Sequence, residues 1–206
     1  MQLLTNVYSY TCGKVVSMKY NLENKTNRFA QRTLKAFSDT LFYLLEKKPF
    51  EEITVNELCK ISNYPRATFY NYFEDIYDLL NYCWLTFSKE IHLEEYISMK
   101  PEDRIYEIFD RIYDFMESKR NQLNTITKLN LIDGDLSLSF QKYLRDQVRL
   151  VMDKCDCTQK YSIPYEVVAN HYSNTLLMMI EWCFLKKNKY SKKQAKECLE
   201  YLLNEI

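Results

Sequence analysis

Glycine and proline are scarce in this chain, which has only two glycines and four prolines in 206 residues. Sheet proteins need frequent tight turns, and those turns draw heavily on these two residue types. The scarcity therefore argues against a sheet-rich fold and predicts an all-α protein. A chain of this length has room for one domain or two small ones, with a sizeable core.

An excess of charge of one sign is also lacking, because 28 basic and 28 acidic residues give a formal net charge of zero. No global field therefore draws the molecule towards nucleic acid or a membrane. The charge balance is locally positive from Lys19 to Lys35, because Glu23 is the one acidic residue among the lysines and arginines of this segment. No segment approaches the roughly 18 apolar residues of a membrane span, so we expect no membrane partner.

The chain lacks the patterns of a disulfide framework, a metal site or a catalytic centre. Its seven cysteines are odd in number and scattered, which fits reduced thiols in a cytoplasmic protein. Cys155 and Cys157 form a close pair without the C-x-x-C spacing, and two ordinary thiols at a helix end explain them. His92 and His171 lie far apart, and no phosphate loop or nucleophile motif is present. We therefore expect neither an enzyme nor a cofactor.

The most informative stretch runs from Ile53 to Phe73 and predicts two short helices joined by a tight turn. Thr54 can cap the first helix, and Glu57 can complete a capping box. Asn63 suits the left-handed backbone of such a turn, and Pro65 suits the first position of the second helix. Together these signals predict a helix-turn-helix, whose second helix enters the DNA major groove.

The second helix of this motif divides into an inner and an outer side. Phe69 and Phe73, spaced i, i+4, should pack inward. The side chains left facing outward are Arg66, Thr68, Tyr70, Asn71 and Tyr72. A guanidinium near the helix start can grip guanine bidentately, so Arg66 is the predicted reader of sequence. The hydroxyls of Thr54, Thr68, Tyr70 and Tyr72 suit phosphate oxygens, which set register without reading sequence.

The stretch ITVNELCKISNYPRATFYNYFEDIYDLL resembles the DNA-binding segment of the TetR family of transcriptional regulators. The matching positions are Thr54, Val55, Ala67, Thr68, Phe69, Tyr70 and Phe73. Three positions differ: Asn63 replaces the usual glycine, Tyr72 replaces the usual histidine, and Ile76 replaces a common lysine. The last two remove or change expected phosphate contacts. The resemblance extends from about Arg28 to Leu80.

The resemblance implies a ligand-responsive repressor that binds palindromic double-stranded operator DNA as a homodimer. It implies a three-helix DNA-binding domain over residues 25–73 and an effector-binding and dimerisation bundle over residues 74–206. Residues 1–24 form a tail, and we hypothesise that translation starts at Met18. The expected DNA-contacting residues are Arg28, Thr54, Pro65, Arg66, Ala67, Thr68, Tyr70, Asn71 and Tyr72. For Arg28, an ordinary solvated face is the alternative.

Apolar periodicity predicts the remaining helices. The first runs from about Asn27 to Lys47, with Ala30, Leu34, Phe37, Leu41 and Leu45 on its inner face. The fourth runs from near Asp75 to about Ile97. The fifth begins at Pro101, the sixth covers about Asn121 to Leu131, and the seventh about Leu136 to Met152.

The eighth helix, from Pro164 to Lys187, is apolar nearly all round, and such a helix needs cover on every side. Ser191 and Gln194 form a capping-box pair that begins a ninth helix. The TetR resemblance places a dimer interface on these two helices, about residues 164–204. The alternative is that their apolar surface belongs wholly to the core of one chain.

The predicted bundle over residues 74–206 also contains a candidate pocket for an unknown small-molecule effector. Its residues are Tyr106, Phe109, Tyr113, Met116, His171, Thr175 and Met178. The alternative for each of these side chains is plain core packing. For the whole protein, the alternative function is a TetR-like protein-interaction module or coactivator that has lost operator binding. Tyr72, Ile76 and the neutral charge balance motivate it.

Overall fold

The computed structural model describes residues 28–153, 162–186 and 190–204, and within those ranges it contains helices and no strand. The α-helices are α1 (Arg28–Leu45), α2 (Val55–Ser62), α3 (Arg66–Tyr72), α4 (Ile76–Glu90), α5 (Pro101–Ser118), α6 (Arg120–Leu129), α7 (Asp135–Asp153), α8 (Tyr165–Ile180) and α9 (Lys192–Asn204). The predicted all-α class is confirmed. The predicted tail, Met18, Cys155 and Cys157 lie outside the described residues.

The chain forms two compact units. The first, which we call the head, comprises the described residues from Arg28 to Phe87 together with Leu129–Leu131. The second, the body, comprises Ser88–Lys128 and the described residues from Ile132 onward. The division falls inside α4, nearer the C-terminus than the predicted boundary after Phe73. None of the described helices is long and apolar enough to cross a membrane.

The core of the head is built from aromatic rings around Phe37 of α1. All five residues of the predicted inner face of α1 are buried, and Phe37 is completely so. Its ring centroid lies 5.4 Å from that of Phe69, 6.2 Å from that of Phe73 and 5.3 Å from that of Tyr64. Aromatic pairs at such distances add to the free energy gained by burial. These contacts join α1 to α3 and to the turn before it.

The helix-turn-helix has part of the predicted local chemistry. The Thr54 hydroxyl accepts the Glu57 backbone N–H at 3.3 Å. The Glu57 carboxylate pairs with Lys48 rather than returning to the Thr54 N–H, so the capping box is only half formed. Asn63 has a left-handed backbone, with φ of 58°. Pro65 stands one residue before the predicted position, as the N-cap of α3.

Helix α2 buries Leu58 and Cys59 in the core and leaves Ile61 45% exposed. The predicted length of the fourth helix was wrong. The fourth helix ends at Glu90, not near Ile97. His92 adopts a left-handed backbone with φ of 51°, and a 3-10 helix follows at Leu93–Ser98.

A contact distant in sequence holds this break in α4. Arg111 of α5 donates from Nη1 to the backbone oxygens of Ile91 and His92, both at 3.3 Å. It also pairs with Glu95 at 2.8 Å, and its guanidinium lies 5.0 Å from the ring centroid of buried Tyr96. The side chain satisfies carbonyls that the ended helix leaves open. No glycine or proline marks this point in the sequence.

In the body, α8 packs against α5, α7 and α9. Its α-helical part ends at Ile180, and a π-helical segment continues from Glu181 to Leu185. Within this segment Cys183 and Phe184 are buried. The predicted cap of α9 is confirmed, since the Ser191 N–H donates to Gln194 Oε1 at 3.0 Å and the Ser191 hydroxyl accepts the Gln194 N–H at 3.3 Å.

Candidate nucleic-acid interface

Helix α3 presents one polar, exposed face. Arg66, Ala67, Tyr70 and Asn71 are exposed, whereas Phe69 is fully buried. The exposed positions follow an i, i+1, i+4, i+5 spacing, which places them on one side of a helix. The sequence-predicted residues of α3 therefore share a surface. Thr68 and Tyr72 lie at its margins, partly buried, and Pro65 is exposed just before the helix.

The orientation of this face is set by packing. An isolated helix as short as the seven residues of α3 does not hold together in water. Phe69 meets Phe37 edge to face, with the rings 5.4 Å apart at an interplanar angle of 83°. Phe73, which caps the C-terminus of α3, adds a ring contact to Phe69 at 5.4 Å. The buried rings therefore decide which side chains of α3 point outward.

Arg66 and Tyr70, one helical turn apart, contact each other on the exposed face. Arg66 donates from Nη2 to the Tyr70 hydroxyl oxygen at 3.3 Å. The guanidinium carbon lies 5.7 Å from the centroid of the Tyr70 ring, within the range of a cation–π contact. The ring of Tyr70 also meets buried Phe69 edge to face at 5.5 Å and 87°. Reasoning from the sequence missed this pairing, although the i, i+4 spacing of arginine and tyrosine is a signal for it.

Arg66 also influences the turn behind it. Burial raises the pKa of the Cys59 thiol on α2, and the positive charge of Arg66 offsets part of that rise. Cys59 lies in the middle of α2, and α2 packs against α3, so the two helices form one compact motif.

Arg28 is exposed at the first residue of α1, and Arg32, one turn later, is exposed as well. The third cation of that region, Lys35, pairs with Asp39 at 2.9 Å. Lys48 is likewise neutralised, by Glu57. Arg28 and Arg32 therefore offer exposed positive charge at the start of α1. Ile76, where TetR-family proteins commonly have lysine, is buried in the head.

Thr54 is exposed beside α2. Its hydroxyl oxygen accepts the capping bond, and a hydroxyl that accepts can still donate its proton. A donor at a helix start suits a phosphate oxygen.

The predicted pocket residues lie on α5 and α8 of the body, in different degrees of burial. Phe109, Tyr113, Met116 and Thr175 are buried, and Tyr106 and His171 are partly buried. Met178, by contrast, is 44% exposed. Met178 is thus turned towards the surface, unlike the buried members of the set.

Tyr113 is occupied by contacts within the body. Its hydroxyl donates to the backbone oxygen of Tyr190 at 2.6 Å, and its ring lies 5.0 Å from Phe184 and 5.9 Å from Phe109. Burial raises the pKa of its hydroxyl. In contrast, the buried Nε2 atom of His171 has no hydrogen-bond partner among the described residues.

A groove of about 450 Å³ on the surface of α9 was not expected from the sequence. It is lined by Tyr190, Gln194, Glu197, Cys198, Tyr201 and Leu202. The side chains lie at helical spacing, but sequence periodicity does not distinguish an open groove from a covered one.

Comparison with known proteins gives a likeness of fold. No family model and no curated protein sequence matches the chain. A protein of known structure from Syntrophomonas wolfei str. Goettingen, described as a TetR-family transcriptional regulator, superposes with a TM-score of 0.59 at 17% identity, covering 84% of this chain and 94% of that one. The dihydroxyacetone kinase operon activator DhaS superposes with a TM-score of 0.49 at 15% identity, covering 84% of this chain and 92% of that one. The first likeness confirms, at the level of the fold, the resemblance predicted from the sequence.

Proposed function

We propose that the protein is a DNA-binding transcriptional regulator, a ligand-responsive repressor that binds a near-palindromic operator as a homodimer. The observation that carries this proposal is the exposed face of α3. It places Arg66, Tyr70 and Asn71 outward on a helix-turn-helix whose orientation is held by buried rings. A helix presented in this way is suited to the major groove.

The side chains of the head divide into readers and anchors. Arg66 reads a base edge, because a guanidinium offers paired donors that match the acceptors of guanine. Thr54, Thr68 and Tyr72 donate to phosphates, and exposed Arg28 adds a cation at the start of α1. Asn71, Ala67 and Pro65 complete the surface that faces DNA.

The dimer is proposed to form through α8 and α9, about residues 164–204. Val167, Met178 and Trp182 are 53%, 44% and 41% exposed, and their spacing puts them on one side of α8 and its π-helical continuation. Tyr201 of α9 is 67% exposed. Aromatic residues and methionine are enriched at the centres of interfaces. A two-fold axis through such an interface would present two equal heads, which calls for a palindromic site.

Response to a small molecule is the third part of the proposal. The unpartnered Nε2 atom of His171, near buried Thr175 one turn along α8, supports a polar contact for an effector in the body. Tyr106, Phe109, Tyr113 and Met116 of α5 would supply apolar and aromatic surface. Binding would shift the separation of the two heads and so the affinity for the operator.

Selection of bound sequences from random double-stranded DNA tests the proposed function. The wild-type protein should enrich a near-palindromic motif, with half-sites about one helical turn or more apart. Arg66→Ala should cost about 1–3 kcal/mol on that motif and relax preference at one base pair per half-site. Arg66→Lys keeps the charge but loses the paired donors. Compared with Arg66→Ala, it should therefore restore more of the affinity for DNA than of the preference for one base pair. Asn124→Ala, at an exposed position of α6 in the body, is the control.

A protein-interaction module that has lost operator binding is the second candidate. It is favoured by buried Ile76 and by the internal pairing of Lys35 and Lys48. These features reduce the positive charge that supplies sequence-independent affinity for DNA. A wild-type protein that enriches no DNA sequence even at low salt would support this candidate and refute operator binding.

A further inference from the structure

We infer that Tyr70 is a positioning residue that determines sequence specificity, because it holds the Arg66 guanidinium in the orientation from which Arg66 reads a base. The inference rests on the proposed DNA-binding function. It differs from the role expected from the sequence, in which the Tyr70 hydroxyl contacts phosphate and reads nothing.

The evidence is a continuous series of contacts from the core of the head to the guanidinium. Phe37 is fully buried, and Phe69 meets it edge to face at 5.4 Å. Tyr70 meets Phe69 edge to face at 5.5 Å, and the Tyr70 hydroxyl accepts from Arg66 Nη2 at 3.3 Å. Each member is fixed by the one before it. The orientation of an exposed side chain is thus set by the packed interior.

The reason that such support matters lies in the chemistry of arginine. Its long side chain has many rotamers, and an unsupported one must be ordered at the moment of binding. Bidentate recognition of guanine also requires the plane of the guanidinium to be aligned with the base edge. Tyr70 supplies both constraints, through its ring at 5.7 Å and its hydroxyl at 3.3 Å.

The contact with Tyr70 leaves Arg66 able to bind a base. A guanidinium carries five N–H donors, and Nη2 has a second hydrogen besides the one directed at Tyr70. No acidic side chain is paired with Arg66 in the described chain, whereas Lys35 and Lys48 of the same unit are paired. The supported guanidinium therefore keeps the donors that major-groove recognition needs.

Tyr70→Phe is the decisive variant, because it removes the hydroxyl and keeps the ring that packs on Phe69. Selection from random DNA should show a loss of preference of about 3- to 10-fold at the base pair assigned to Arg66, the size of a typical coupling between contacting side chains. In an Arg66→Ala background, the same Tyr70→Phe change should alter preference at no position. Tyr72→Phe removes a hydroxyl two residues along the same helix and should weaken all sequences alike.

A measurement without DNA checks the support itself. The NMR order parameter of the Arg66 guanidinium should be lower in Tyr70→Phe than in the wild-type protein and unchanged in Tyr72→Phe. Equal mobility in Tyr70→Phe and wild type would overturn the inference, as would weaker binding by Tyr70→Phe with the base preference intact. The proposed function fails in a distinguishable way, since the wild-type protein itself would then enrich no motif.

Discussion

The head and the body differ in the kind of side chain that their helices leave exposed. In the head, α3 buries Phe69 against Phe37 and exposes polar residues on the other face. In the body, α8 buries half of its residues and packs against α5, α7 and α9. It still exposes Val167 and Met178, and the π-helical segment after it exposes Trp182. A polar face suits a hydrated polyanion, and an exposed apolar stripe suits another protein surface. The difference teaches that one all-helical chain exposes two surfaces of different chemistry, one polar and one apolar.

The two regions also differ in how their helices are held. The helices α2 and α3 have eight and seven residues, too few to be stable alone, and they depend on the aromatic core. The body uses helices of up to 19 residues and adds ion pairs between α5 and α9, such as Lys196 with Asp110 at 2.7 Å. Removing one core ring should therefore damage the head more than removing one ion pair damages the body.

The largest effect is expected from Phe37→Ala in the head. Truncation of a fully buried phenylalanine costs about 3–5 kcal/mol, because it removes buried surface and leaves a cavity. Urea unfolding followed by circular dichroism should show the head losing stability by this amount. Phe29→Ala, on the same helix at a position that is 75% exposed, should change stability by less than about 0.5 kcal/mol. Equal effects of the two variants would contradict an aromatic core around Phe37.

Trp182→Glu tests the apolar surface of the body. A charge placed at Trp182, on the π-helical continuation of α8, should weaken self-association of the proposed dimer by about 2 kcal/mol or more, roughly 30-fold in Kd. Sedimentation equilibrium measures this constant. Leu138→Glu introduces the same charge at another exposed apolar position of the body, on α7, and should leave association unchanged. A dimer that tolerates Trp182→Glu would place the interface elsewhere.

A smaller effect is expected from Asn130→Ala, which removes a polar contact inside the head. The Asn130 amide oxygen accepts the Phe50 backbone N–H at 2.8 Å, and its nitrogen donates to the Leu45 oxygen at 3.4 Å. Loss of the acceptor leaves a buried N–H without a hydrogen bond, which lowers the free energy of unfolding by about 1–3 kcal/mol. Thermal unfolding should show this loss. Asn56→Ala, at an exposed position of α2, provides the comparison, and a cost as large there would argue against a specific role for Asn130.

The smallest effect is expected from Lys196→Met in the body, about 0.2–1 kcal/mol, because the ion pair with Asp110 is partly solvated. The hydrogen bond to Asp110 raises the pKa of Lys196 above its ordinary value of 10.5. The stabilisation is therefore complete below that value and is lost as pH rises through the folded-state pKa. Urea titrations should show a difference from wild type at pH 8 that shrinks above about pH 10.5. Lys193→Met, on a more exposed lysine of α9 whose pair with Glu197 is longer at 3.8 Å, should show a smaller loss of stability.

The features that could be predicted from the sequence are those that depend on residues close together in the chain. Helical periodicity marked the buried face of α1, and a threonine, an asparagine and a proline marked the helix-turn-helix. The Ser191–Gln194 pair marked the start of α9 in the same way. Such signals can be read locally, because caps and helical faces involve residues within one or two turns of one another.

The sequence by itself determined the helical class, the Thr54 cap and the left-handed backbone at Asn63. Tertiary structure alone decided where α4 ends, since Arg111 reaches carbonyls some twenty residues away in the chain. It also decided that Asn130 belongs to the head. The contact of Arg66 with Tyr70, whose ring packs on buried Phe69, likewise depends on tertiary packing. The physical reason is that these contacts join side chains whose meeting depends on how whole helices pack, and no local pattern of residues encodes that packing.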